Sequence, residues 1–172
     1  SLTNGGPRPL VAPLWDDLKI DSARAFSYAT TGSAPNRVFT AQWLYVKWDW
    51  QSTKPGLSFQ VKLYENGLIE FIYRRDSSAV NSASASIGIA ALGTGSANFF
   101  SIQDSSSNPL ASTTSEVATI SGRPATGQVY AFTPTFTDIA APLTQVRFST
   151  AAWGDYDNDG DLDIAISGQG LA

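Results

Sequence analysis

The sequence predicts an all-β protein whose main body is an antiparallel β-sandwich. Apolar residues fall in short runs separated by Gly, Pro, Asn and Ser turn signals, at the spacing a sandwich requires. Ser, Thr, Ala and Gly are abundant and charged residues sparse. No stretch of about ten residues or more sustains a helical period between caps. The nearest, Pro13 to Ala29, is interrupted by Asp16, Asp17 and Asp21.

The clearest strands run from Val38 to Trp50 and from Leu57 to Tyr73, the second folding on itself at Glu65, Asn66 and Gly67. A two-residue turn would set Leu63 opposite Glu70 and mix polar with apolar side chains on both faces. A three-residue loop with Gly67 in the left-handed conformation instead pairs Leu63 with Ile69, Val61 with Phe71 and Phe59 with Tyr73. One face is then wholly apolar, and Lys62 meets Glu70 on the other, so the three-residue loop is expected. Further strands are expected at Ser86 to Ala90, Asn98 to Gln103, Glu116 to Ile120 and Gln128 to Thr133. Ser77 to Ser86 and Ser105 to Ser115, small and polar, read as surface loops. A sandwich over residues 1–136, a linker over 137–144 and a second unit over 145–172 follow from the Pro/Thr/Asp/Ala stretch after Pro134.

Cysteine, histidine and methionine are absent. Thiol nucleophiles, disulfides, Cys/His zinc sites and imidazole-dependent triads are therefore excluded. No apolar run reaches the length of about 20 residues that a membrane helix needs. The net charge of -4 is local: residues 1–154 carry all 11 Lys and Arg and 10 of the 15 acids, and the remaining five acids lie between Asp155 and Asp163. The nearly neutral body offers no basic face for nucleic acid.

That acidic string, DYDNDGDLD, places carboxylates at alternate positions with Gly160 between Asp159 and Asp161. A tight loop of this pattern aims alternate oxygens at one point, which suits the six to eight oxygen ligands of calcium. Asp155, Asp157 and Asp159 would give side-chain oxygens, Asp161 its backbone carbonyl, and Asp163 would close the shell directly or through water. The closing Glu of an EF-hand is missing, since Ile166 stands there, and Leu162 to Ile166 alternate like a strand. Magnesium, with its stricter octahedron, fits less well.

The segment from Phe148 to Gly168, FSTAAWGDYDNDGDLDIAISG, resembles an FG-GAP (VCBS-type) repeat, the calcium-binding blade unit of integrin-like β-propellers. The resemblance implies that the sandwich is followed by one partial β-propeller-type repeat, with the five aspartates as calcium ligands. One such repeat cannot bury its own faces. This, with the lack of a starting Met, leads to the expectation that the chain is a piece of a longer one.

The body is similar to a nidogen-like (NIDO-like) β-domain. The motifs are APLWDDL (Ala12 to Leu18), VFTAQWLYV (Val38 to Val46), FQVKLYENGLIEFIY (Phe59 to Tyr73), SIGIA (Ser86 to Ala90) and GQVYAFTP (Gly127 to Pro134), in that order. The resemblance implies a module of large secreted or surface bacterial proteins, often exported by the type IX route and often beside FG-GAP repeats. Family members usually carry strands ahead of the segment that begins at Ala12. With only about seven residues ahead of Arg8, an open N-terminal edge is expected, which a segment from another chain or a cleaved N-terminal fragment would complete by strand addition.

Four tryptophans, Trp15, Trp43, Trp48 and Trp50, raise the question of glycan stacking. Trp43 reads as core, whereas Trp48 and Trp50, two residues apart on one face around Asp49, read as half-exposed packing or, in the alternative, as a ligand platform. Asp16 and Asp17 read as a turn-capping pair or a second carboxylate site. The expected function is that of a non-catalytic, calcium-binding extracellular module acting in scaffolding or adhesion, with other domains or neighbouring chains as partners. The alternative is a carbohydrate-binding module of a secreted hydrolase that uses Trp48, Asp49 and Trp50. A glycosidase reading on Asp49 and Glu70 requires two carboxyls within about 5–9.5 Å across a cleft.

Overall fold

Leu57 to Tyr73 folds into the hairpin that its apolar alternation requires. Leu63 pairs with Ile69, Val61 with Phe71, Phe59 with Tyr73 and Lys62 with Glu70. Gly67 turns with φ +86° in the left-handed region, and its amide donates to the Tyr64 carbonyl at 2.9 Å. A one-residue slip would have turned Phe59, Val61, Phe71 and Tyr73, all buried, toward water. Burying each contributes about 1.5–3 kcal/mol, so the register is fixed by several such terms together.

The computed structural model describes residues 1–20, 25–76, 83–134, 146–154 and 163–170. All regular structure among them is strand: β1 (Leu10–Trp15), β2 (Phe26–Thr31), β3 (Val38–Val46), β4 (Leu57–Tyr64), β5 (Ile69–Arg75), β6 (Ser86–Ala90), β7 (Phe99–Ile102), β8 (Ala111–Ser112), β9 (Val129–Phe132), β10 (Val146–Gly154) and β11 (Asp163–Gly170). The chain divides into two compact units, Ser1–Pro134 and Thr135–Ala172.

In the first unit, one sheet has the order β2-β3-β4-β5-β9 and the other β1-β6-β7-β8, with antiparallel pairing throughout. The two pack as a sandwich. Trp48, Leu57, Phe59, Val61, Phe71 and Tyr73 from the larger sheet and its margin meet Leu14, Ile87 and Ile102 from the smaller one. Gly88 in β6 is required by closeness: a Cβ there would lie 1.9 Å from the Phe100 carbonyl oxygen of β7. A smaller cluster of Leu2, Ala12, Ala90 and Phe99 lies at the outer end of the smaller sheet.

Several expectations needed adjustment. The Pro13 to Ala29 stretch supplies two strands, β1 and β2. Glu116 to Ile120 is not a strand; its backbone joins the ladder at an isolated bridge between Ile120 and Ala85. The strand from Val38 stops at Val46, after a bulge in which Tyr45 takes φ 57°. Beyond it the chain turns at Asp49, whose carbonyl accepts from the Ser52 amide at 2.9 Å.

At the N-terminal margin, β1 is an edge strand, paired with β6 alone. Pro13 provides no N–H there, and its carbonyl accepts the buried Tyr73 hydroxyl at 2.6 Å.

In the second unit, β10 and β11 form an antiparallel hairpin in which Gly154 pairs with Asp163 and Trp153 with Ile164. A register shift falls between Arg147 and Thr150, where Phe148 has φ 48°.

Candidate functional site

The acidic string falls, in sequence, between β10 and β11. Gly154 closes one strand and Asp163 opens the other, so the residues from Asp155 through Leu162 are the connection between them. Asp155, Asp157, Asp159 and Asp161 lie outside the described residues, as does the side chain of Asp163. Among the described residues no group of three or more His, Cys, Asp or Glu side chains could hold a metal ion.

The aromatic candidates are separated by the fold. Trp48 is 1% exposed and belongs to the core, with its Nε1 donating to Asp16 Oδ2 at 2.8 Å. Trp50 is 61% exposed. Asp49 between them accepts the Gln51 amide at 2.8 Å and caps the turn. The expected platform of Trp48 and Trp50 on one face is thus corrected: the turn at Asp49 breaks the period-two alternation, and only Trp50 offers a ring to solvent. Trp43 stacks on Phe59 with centroids 5.2 Å apart and packs against the core, as expected of it.

Asp16 is structural. Its Oδ2 also accepts the Ser84 amide at 2.9 Å, tying the end of β1 to the segment that leads into β6, and Oδ1 accepts the Asp17 amide at 2.8 Å. Asp16 and Asp17 line an open cleft of about 450 Å³ with Ser1, Trp15, Ser84, Ser86 and Glu116. Glu116 also has its partners: it accepts from the amides of Leu2 at 2.7 Å and Thr3 at 3.2 Å, and from the hydroxyls of Thr3 at 3.1 Å and Ser86 at 2.7 Å. Burial, the largest single influence, pushes its carboxyl upward. The hydrogen bonds from Leu2, Ser86 and Thr3 together outweigh it and hold the group below the usual carboxylate range. Both acids act as clasps for the chain. The sequence read Glu116 as strand, and the signal that marks it is a lone acid in a Ser/Thr tract.

The Asp49 and Glu70 pair does not face a common cleft. Val46, Leu57 and Arg75 share one register row, with Asp49 past its Val46 end. Glu70 is set along β5 from that row by about 17 Å, at about 3.4 Å per residue. Its carboxylate accepts the Tyr64 hydroxyl at 2.6 Å. That separation does not meet the requirement of a glycosidase pair.

A shallow groove of about 170 Å³ crosses the outer face of the five-stranded sheet, lined by Gln42, Leu44, Ser58, Gln60, Ile72 and Arg74 among others. The Gln60 amide donates to Gln42 Oε1 at 2.7 Å. Arg74 lies 5.2 Å from the Tyr45 ring centroid and pairs with Asp76 at 3.1 Å, while Ser58 Oγ donates to Asp76 Oδ2 at 2.7 Å and accepts the Tyr45 amide at 2.9 Å. This network holds the β3 bulge in place.

Neither a search of curated proteins nor one of solved structures returned a match. The family model described as NIDO related matches residues 1–134, the whole of the sandwich unit. With ordered motifs running from β1 to β9 and a family match over the same residues, the chain belongs to the NIDO-related family.

Proposed function

We propose that this chain is a calcium-stabilised extracellular module, serving as a scaffold or adhesive unit within a larger surface or secreted protein. One observation supports the calcium reading above the others: the acidic string links the two strands of a hairpin and ends on the first residue of β11, where Asp163 pairs with Gly154. Five carboxylates in nine residues repel one another unless a cation compensates them. The donor chemistry, all oxygen and mostly charged, fits a hard divalent ion. Asp155, Asp157, Asp159, the carbonyl of Asp161 and Asp163 would hold it, in the manner of an FG-GAP repeat. Bound calcium would bridge the two strands and stiffen the hairpin tip.

The extracellular reading rests on the family, since NIDO-related domains are typically extracellular modules and the family is one of non-catalytic modules. Among the described residues no helix is long and apolar enough to cross a membrane. The adhesive role, the type IX route and the partners among other domains or neighbouring chains belong to the same proposal.

The test is a calcium titration of the full chain by calorimetry, with thermal melting in calcium and in EDTA. Binding to one site, lost in Asp157→Asn paired with Asp159→Asn, is expected. At calcium about 100-fold above Kd, the gain for the hairpin unit is about 2.7 kcal/mol. Identical melting in calcium and EDTA together with no heat of binding would overturn the reading.

A further inference from the structure

β2 is as long as any edge strand of the sandwich unit. It has six residues and one neighbour, β3, whereas β8 at the far side of the other sheet has two residues and β9 has four. All six of its residues are exposed, and the sequence FSYATT carries no charge, proline or glycine. The usual devices that keep an edge from pairing are missing. β1, the other long edge, has Pro13 and the Tyr73 hydroxyl to blunt it.

The hydrogen-bond phase of this edge can be worked out. The Leu44 amide donates to the Ala25 carbonyl at 2.7 Å, and Phe26 pairs with Trp43 in the same register, so Ala25 and Leu44 form a bonded pair. Bonded and non-bonded pairs alternate along an antiparallel ladder. Ser27 and Ala29 therefore bond inward to Gln42 and Thr40, and Phe26, Tyr28 and Thr30 direct their N–H and C=O groups to the open side.

The same three residues share a face with Phe39, Ala41 and Trp43 of β3. That face carries an aromatic row running out of the core: Phe59 to Trp43 at 5.2 Å, Trp43 to Phe26 at 5.1 Å, Phe26 to Tyr28 at 6.1 Å and Tyr28 to Phe39 at 5.9 Å. The row loses its cover toward the edge, where Phe39 is 37%, Phe26 42% and Tyr28 70% exposed. Open backbone groups and uncovered rings thus coincide on one strand.

We infer that β2 pairs antiparallel with β2 of a second copy of this chain, about a two-fold axis at Tyr28. The register is self-consistent. Centring on Tyr28 puts Tyr28 opposite its own copy and Phe26 opposite Thr30, and all three belong to the outward-bonding set. Every outward N–H and C=O of these residues then finds a partner, as an isologous contact demands. The parity keeps Phe26 and Tyr28 of both copies on one face, so the two aromatic rows join across the axis. Because Phe26 to Thr31 carries no charge, no like-charge contact opposes the pairing. A six-residue edge with two rings per copy falls at the small end of specific interfaces, below about 1,200 Å², which fits a reversible dimer that additional contacts or tethering reinforce.

Sedimentation of the full chain from micromolar to near-millimolar concentration tests this, with amide exchange followed by NMR on the same samples. A concentration-dependent dimer is expected, with the amides of Phe26, Tyr28 and Thr30 gaining protection as it forms while those of Ser27 and Ala29 stay constant. Tyr28→Lys, which sets two charges across the axis, should weaken association by about tenfold or more. Ala29→Val, whose backbone bonds inward, should leave it unchanged. A chain that stays monomeric throughout, with its edge open to some other strand, overturns the inference. A dimer that forms without protecting those three amides, or that ignores Tyr28→Lys, overturns it equally.

Discussion

Replacing Asp16 with alanine removes the carboxylate that holds the indole of Trp48, and the structure sets the size of the effect. Trp48 is 1% exposed, so its N–H cannot turn to water once Asp16 is gone. A hydrogen bond to a charged acceptor contributes about 1.5–3 kcal/mol, and a buried donor left unpaired costs about 1–3 kcal/mol. The Ser84 amide, also bound to Asp16, lies at an exposed residue where water substitutes, so it adds little. A loss of about 2–3 kcal/mol results. For a unit of this size that corresponds to a fall of about 6–12 °C in Tm. Urea unfolding followed by tryptophan fluorescence reads it directly. Asp16→Asn, which keeps an oxygen acceptor, should lose about 1 kcal/mol. In a double-mutant cycle with Trp48→Phe, the coupling should exceed about 1 kcal/mol, since the two groups are in contact. A loss within about 0.5 kcal/mol for Asp16→Ala, the range of an ordinary surface change, would refute the assignment of Asp16 as a structural clasp.

Three further outcomes are expected. Gly88→Ala drives a methyl into the Phe100 carbonyl and should lower stability by about 3 kcal/mol or more, measured by the urea midpoint. Glu116 has a depressed pKa in the folded chain, so the stability it contributes is present above the ordinary value of 4.5 and is lost as pH falls through its lower folded value. Glu116→Gln should flatten the acid limb of a plot of stability against pH, and an unaltered limb would count against the clasp. EDTA should lower the melting of the hairpin unit without changing the urea midpoint of the sandwich unit, a split that calorimetry resolves.

What could be read from the sequence depended on whether a residue pattern answered to one constraint or to several. The β4–β5 register was legible because a shift by one residue would mix the faces, and Gly67 supplied the one conformation the loop needs. β1 and β2 were not read as strands: Pro13 and three nearby aspartates mimic loop composition, and the hydrogen bonds that make Asp16 an anchor come from Trp48 and Ser84, distant in the chain. Glu116 to Ile120 looks like a strand because Ile120 is buried and Val117 packs on the core, yet its backbone makes only one bridge. Trp48 and Trp50 were paired on the assumption of continued alternation, which the turn at Asp49 ends. The proposed calcium site rests on the spacing of the aspartates and on Gly160 in the sequence, to which the structure adds the Gly154–Asp163 pairing that flanks the string.

The bulge at Tyr45 has a consequence for how β3 tolerates change. Leu44 and Tyr45 together oppose Ser58, so one position of the strand is supernumerary to the ladder. Core-facing residues on the two sides of it, Ala41 and Trp43 before and Val46 after, therefore keep step only because the extra unit is absorbed there. Removing Tyr45 outright would leave that inward sequence in phase, whereas deleting either neighbour of Ala41 would invert it. Length variation in this strand should be confined to this single point, and a residue that occupies it must accept a positive φ.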